Sequence, residues 1–324
     1  MLRAAAELAI VLIAAGGLLF LISAIGMAFA LIRPPRMKEA KALFFLRRLS
    51  PEDLDLPYET VNFPVRDERT GNWFQIAGWW MDCPRRSDRC VIILHGYTDA
   101  KVGGIAWAPV FRELGFNVLA IDLRAHGESQ GRYTTAGFCE RYDVNQVIDQ
   151  LKASQVAKTR RIVLFGASLG AAVAAAAAMT RNDLAAVVME SPYVDFPSAV
   201  LSHADNLGVP GRIFQRAALW LAQKIARIDY SAVRPVDLIA HLRVPLYVIQ
   251  SGDDPFVPPA DQEAIAAAVA GRPHNLGVTQ IWRVADSFHV MSMADQPEEF
   301  RRRMAKFLDS ALGEPTAAKE ISRP

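Results

Sequence analysis

Cysteine is scarce: Cys83, Cys90 and Cys139 are all that 324 residues contain. Three is too few, and odd, for a disulfide framework, and the absence of C-x-x-C spacing excludes a zinc ribbon or a dithiol redox site. Cys83 and Cys90 sit near the ends of two neighbouring predicted strands, so one disulfide is open, although free thiols fit the pattern better. Neither sign of charge is in excess, with 36 basic and 34 acidic residues and a net charge of +2. That balance lacks the basic footprint of a nucleic-acid binder. Internal repeats and low-complexity tracts are missing as well. Long hydrophobic runs are absent but for one. Residues 8–32 are uncharged and almost wholly apolar, enough to cross a hydrocarbon core of ~30 Å with some tilt. A secretory leader has an apolar region of only ~7–15 residues, so the run reads as a single membrane anchor, even though Ala28-Phe29-Ala30 imitates a cleavage site. Arg3 precedes it, while Arg33, Arg36, Lys38, Lys41, Arg47 and Arg48 follow, which puts the rest of the chain on the cytoplasmic side. Residues 37–49 are basic with Leu43, Phe44, Phe45 and Leu46 embedded, either an interfacial helix or a solvated linker helix.

What is present is a regular alternation of strand and helix. Residues 61–66 and 75–81 predict an opening hairpin around Thr70-Gly71-Asn72. Strands are expected at 90–94, 117–122, 161–165, 185–189, 245–250 and 279–284, with helices at 104–114, 137–154, 259–270 and 297–311. Strands alternating with helices imply a mostly parallel sheet covered on both faces. The alternation pauses over residues 193–242, where an amphipathic helix around Ala217, Leu221 and Ile225 suggests a cap laid over the sheet's C-terminal edge. Residues 313–324 read as a polar tail.

The chemistry concentrates at Gly166-Ala167-Ser168-Leu169-Gly170. An apolar, β-branched run precedes this G-x-S-x-G pentapeptide and an alanine run follows it, giving strand, sharp turn and helix. Such an elbow holds Ser168 in a strained backbone conformation at the positive end of a helix, which marks it as a nucleophile. A serine hydroxyl needs a base to take its proton and a carboxylate to orient the base, and after an elbow serine these follow in the order acid, then histidine. His289 lies just past the last strand, at the edge where active sites of parallel sheets form. His241 and His274, at a strand's opposite edge and at a helix end, are the other candidates. The acid should end the strand at 245–250, where Asp253 and Asp254 are adjacent. Asp254, in its D-P-x-V-P string, is preferred to Asp253, and Asp286 is a remote alternative. Two backbone N–H donors should face the oxyanion. Leu169, directly after the nucleophile, supplies one, and Tyr97, after His95-Gly96, the other.

Taken together, His95-Gly96, Asp122-x-Arg124-x-His126-Gly127-x-Ser129, the elbow, Asp254-Pro255 and His289 resemble the α/β-hydrolase superfamily over residues 61–312, most closely its serine-aminopeptidase and monoglyceride-lipase-like group. The resemblance implies a Ser168–Asp254–His289 triad and a helical cap over the pocket. It also implies that the Asp122–Ser129 string is structural, despite its Asp, Arg and His, with Ala125 standing where relatives usually have glycine. Serine in the elbow separates the chain from dehalogenases and epoxide hydrolases, which carry aspartate there. The expected organisation is an anchor (1–36), a basic linker (37–57), a hydrolase domain (58–312) with its cap, and a tail. The expected activity is cleavage of a lipid-like or other acyl ester, needing no metal and no cofactor. Amidase or aminopeptidase activity, a thioesterase, and a non-catalytic scaffold are the alternatives.

Overall fold

The computed structural model describes residues 2–208 and 211–313, and the predicted tail lies almost wholly outside them. The chain opens with α1 (Leu2–Ile32), α2 (Glu39–Leu46) and an antiparallel hairpin, β1 (Glu59–Arg66) and β2 (Trp73–Met81). It continues through β3 (Arg89–Leu94), α3 (Lys101–Gly104), α4 (Ala108–Glu113), β4 (Asn117–Ile121) and α5 (Glu140–Ser154). The elbow follows between β5 (Arg161–Ala167) and α6 (Leu169–Ala178), then β6 (Ala186–Glu190). Next come α7 (Phe196–Asn206), α8 (Arg212–Ala226), α9 (Pro235–Ile239), β7 (Leu246–Ser251), α10 (Pro259–Ala270), β8 (Thr279–Val284), α11 (Ser292–Asp295) and α12 (Pro297–Leu312).

The eight strands form one sheet in the order β1-β2-β4-β3-β5-β6-β7-β8, parallel from β4 through β8. Strands β3 to β7 are buried along almost their whole length, as a sheet covered on both faces requires. Two apolar cores flank it. One packs α5, α6 and the cap region against the sheet, the other packs α4 and α12. The all-alanine face of α6 is completely buried, and its small side chains let the helix lie close behind β5.

Two predicted helices differ from what forms. The segment 104–114 breaks into three short turns, because Pro109 lacks an N–H and opens a new helix, α4. The helix expected from 137 begins at Glu140, since Ala136 and Gly137 hold positive φ of 54° and 96° while the buried Glu140 carboxylate accepts from the N–H groups of Thr135 and Gly137. All three cysteines are free.

The apolar helix α1 has two halves. Leu8, Ile13, Leu19 and Ile22 are exposed, whereas Ala24, Ala28 and Ile32 are buried at four-residue spacing. Helix α1 packs along α8, and there the partly exposed Phe20 meets Phe214 edge-on with ring centroids 5.7 Å apart. A 31-residue helix rises about 46 Å, more than a ~30 Å hydrocarbon core needs. The surplus is the half that packs on the globular body.

Candidate active site

The elbow forms as the residue pattern dictates. Strand β5 ends at Ala167, α6 starts at Leu169, and Ser168 between them takes φ 52° and ψ −111°. A positive φ at a non-glycine residue costs about 1–3 kcal/mol and persists only where the surroundings enforce it. Here the Ser168 N–H is tied to Glu190 O at 2.9 Å, and the flanking glycines admit no side chain. A Cβ on Gly166 would stand 2.1 Å from Gly170 O, and one on Gly170 2.0 Å from Leu94 O. Gly170→Ala is therefore expected to destabilise the fold by about 3 kcal/mol, read as a lowered midpoint in urea unfolding.

His289 and Asp254 come together from two loops at the same sheet edge. Asp254 follows β7 and is buried, and its Oδ1 accepts from the N–H groups of Phe256 (2.9 Å) and Val257 (3.1 Å). Oδ2 is left for His289 Nδ1, at 2.6 Å. The neighbouring Asp253 is exposed with its N–H on Ser287 O. Asp286 and His274 are exposed, and so is His241, whose Nδ1 meets Asp237 O on its own helical turn. None of these four lines the pocket that His289 enters.

That pocket, of about 370 Å³, is lined by both Ser168 and His289. Among the described residues no hydrogen bond joins Ser168 Oγ to the imidazole, a looseness common in sites without substrate. Tyr97 and Leu169 line the same cavity, and the backbone N–H of each donates to nothing among the described residues. Two unspent donors beside a serine hydroxyl suit a developing oxyanion. Most other walls are apolar, with Leu31, Trp107, Phe196, Val200, Phe256 and Val257 prominent, and α7 contributes Ala199, Val200 and His203. Of the insertion, α7 reaches the pocket, whereas α8, the amphipathic helix around Ala217, Leu221 and Ile225 on which the sequence placed the cap, packs against α1 and lends the pocket no residue. Among the described residues no group of three or more His, Cys, Asp or Glu side chains stands ready to hold a metal ion.

Residues that sequence reasoning missed hold the loops together. Ser191, directly after β6 with φ 47°, accepts the N–H of Val290 at 3.0 Å and shares a 3.0 Å hydrogen bond with Ser251. Ser292 Oγ donates to the fully buried Glu190. Residues 190–191 therefore grip the nucleophile's backbone on one side and the histidine loop on the other. The only signal in the sequence is a Glu-Ser pair ending the strand beside the elbow strand. Burial pushes the Glu190 carboxyl up to about 7, against the opposing effect of its bonds to Ser292. Its second oxygen and the Trp107 indole N–H are both buried without a hydrogen bond of ordinary geometry. An acid raised from about 4.5 in the unfolded chain to about 7 when folded takes stability away as pH climbs through that window, because the unfolded state sheds the proton first. Glu190→Gln is expected to flatten the fall in Tm between pH 5 and pH 8 relative to the natural chain. Parallel melting curves across that range check it.

The Asp122–Ser129 string is built as scaffold. Asp122 accepts from Lys101 N (2.6 Å), Lys101 Nζ (2.8 Å) and Glu128 N (2.8 Å). Arg124 grips Asp143 with two 2.6 Å bonds. His95 Nε2 accepts the Leu123 N–H at 3.0 Å, and burial holds both His95 and His126 below the usual imidazole range. Ala125 carries φ 62°, the conformation for which glycine is the easier choice.

Known proteins resemble the chain in the same terms. Residues 85–234 match the serine aminopeptidase family. The Bacillus subtilis protein YqkD is 26% identical over 321 residues, covering 93% of this chain and 97% of that one. The lysophosphatidylserine lipase ABHD12 of Macaca fascicularis is 26% identical over 238 residues, which are 66% of this chain and 57% of the lipase. Among solved structures, an esterase of Pyrococcus furiosus aligns with a TM-score of 0.67 at 26% identity, covering 86% of this chain and all of the esterase. An eight-stranded sheet with a serine elbow, together with esterase and lipase likenesses of this extent, gives the chain the α/β-hydrolase fold and makes it similar to the serine aminopeptidase family over residues 85–234.

Proposed function

We propose that the chain is a serine hydrolase that cleaves carboxylic esters of apolar acyl groups, held at a membrane by the exposed half of α1. The observation that carries the reading is the 2.6 Å Asp254–His289 bond at a pocket that Ser168 also lines. In this mechanism His289 Nε2 takes the Ser168 proton as Oγ attacks the acyl carbonyl. Asp254 fixes the tautomer and steadies the imidazolium. The oxyanion rests on the N–H groups of Leu169 and Tyr97. When the tetrahedral intermediate collapses, His289 protonates the departing alcohol, leaving an acyl-Ser168 ester. Water, deprotonated by His289, then attacks that ester and releases the acid and free serine.

The apolar lining favours an acyl chain over a charged group. Asp99 is the one carboxylate among the described residues that line the pocket, outnumbered there by aliphatic and aromatic side chains. This weighs against the aminopeptidase reading, while thioesters remain compatible with the same chemistry. The P. furiosus esterase and the ABHD12 lipase lend support from outside the chain. The test is a substrate panel on the full chain in detergent, comparing p-nitrophenyl acyl esters, acyl thioesters and aminoacyl amides. Preferential turnover of esters with chains of four or more carbons is expected, and turnover confined to aminoacyl amides would overturn the ester assignment. The basic flank after α1 favours a cytoplasmic domain, held at the membrane by the exposed half of that helix as an integral anchor. Carbonate extraction that leaves the chain in the membrane fraction would support it, and release into the supernatant would contradict it.

A further inference from the structure

The last turn of α1 reaches the nucleophile's pocket. Leu31 lines the cavity beside Ser168 and His289. The helix end is held there by bonds that a plain tether would not need. Its terminal carbonyls, which have no partner within the helix, are taken up by the globular body. Tyr97 Oη donates to Ala30 O at 2.8 Å and to Leu31 O at 3.1 Å, and Thr134 N donates to Ile32 O at 2.9 Å. A few residues on, Arg36 Nη1 donates to the carbonyls of Gly127 (2.8 Å) and Ser129 (2.6 Å). The buried Ala24, Ala28 and Ile32 complete the seam. Tyr97 is thus joined to α1 through its side chain, while it lines the pocket and its backbone N–H donates to nothing among the described residues.

We infer that the C-terminal turn of α1 is a working part of the acyl site: Leu31 is a wall that sets how long an acyl chain the pocket accepts, and the Tyr97 hydroxyl, fixed on the helix end, positions the backbone N–H that meets the oxyanion. The inference rests on the acyl-hydrolase reading above and deepens it. Leu31 is a specificity-determining residue, and the Tyr97 side chain is a positioning residue. Leu31 comes from the end of α1 and not from the loops that carry Ser168, Asp254 and His289, so adding or removing bulk there changes the space for a chain rather than the chemistry.

The experiment uses the full chain in detergent, with each variant checked for an unchanged circular dichroism spectrum and Tm within a few degrees. Leu31→Trp is expected to cut kcat/KM for octanoyl and dodecanoyl esters about tenfold or more while the acetyl ester stays within about threefold. Leu31→Ala should shift the preferred length upward. Tyr97→Phe should lower kcat about tenfold at every length with KM nearly unchanged, the mark of support given only to the transition state. Losses in the Leu31 variants that ignore chain length, no change at all, or a Tyr97→Phe effect confined to KM would overturn the inference. A second measurement separates it from the hydrolase reading: a fatty acid with a terminal diazirine is photolysed with the Ser168→Ala chain. Crosslinking to the peptide bearing Leu31, lost in the Ser168→Ala, Leu31→Trp double variant, is expected even if no ester is turned over. Crosslinks only elsewhere would sink the inference whatever the esterase result.

Discussion

Ser168→Ala is expected to lower kcat/KM for ester substrates by about 10⁴-fold or more with no loss of folded protein. Alanine removes the attacking oxygen and nothing that the fold depends on. Ser168 Oγ makes no hydrogen bond among the described residues, so its deletion strands no partner. The backbone strain at φ 52° is enforced by the neighbouring glycines and by the Glu190 carbonyl, and alanine bears it as serine does. Residual turnover above the uncatalysed rate would come from the two N–H donors and the pocket. Steady-state rates beside an unfolding curve for each protein check both halves of this expectation.

Asp254→Asn should cost about 10³–10⁴-fold in kcat at neutral pH. The side chain keeps its shape and its bonds from Phe256 and Val257 when its carbonyl oxygen stays in the Oδ1 position. The Oδ2 position then carries an amide donor facing His289 Nδ1, which drives the imidazole into the tautomer whose Nε2 bears the proton and cannot accept one from Ser168. A loss of under tenfold would mean that another carboxylate orients the base, and Asp253 would then be tested in the same way.

Much of this site was legible in residue order, for identifiable reasons. The elbow declared itself because glycines that must accommodate Leu94 and Gly170 carbonyls, and a helix that must bury every face, leave a literal record in G-x-S-x-G and an alanine run. His289 was found from its place after the last strand, since a parallel sheet brings all such loops to one edge. Asp254 needed only that its partner loop be the next one along. What could not be read were contacts made across the fold. Glu190 and Ser191 work through Ser292 and Val290, a hundred residues later, and no local pattern records such a pairing. Helix α1 was misleading in another way. Alanine, leucine and isoleucine suit a lipid tail and a protein seam equally, so hydropathy merged the exposed Leu8 and the buried Ala28 into one span. Only the packing against α8 and the bonds from Tyr97 separate the two halves. The bounds of α4 and α5 slipped because a proline and a carboxylate cap outweighed periodicity.

The most direct test of the account is covalent trapping. The full chain in detergent is treated with an alkyl fluorophosphonate, digested, and mapped by mass spectrometry, with Ser168→Ala and His289→Ala alongside. The expected result is a single phosphonyl adduct on the peptide containing Ser168, absent from the first variant and reduced at least about a hundredfold in rate in the second. A folded natural chain that stays unmodified, or an adduct that persists in Ser168→Ala, would contradict an activated serine at this position.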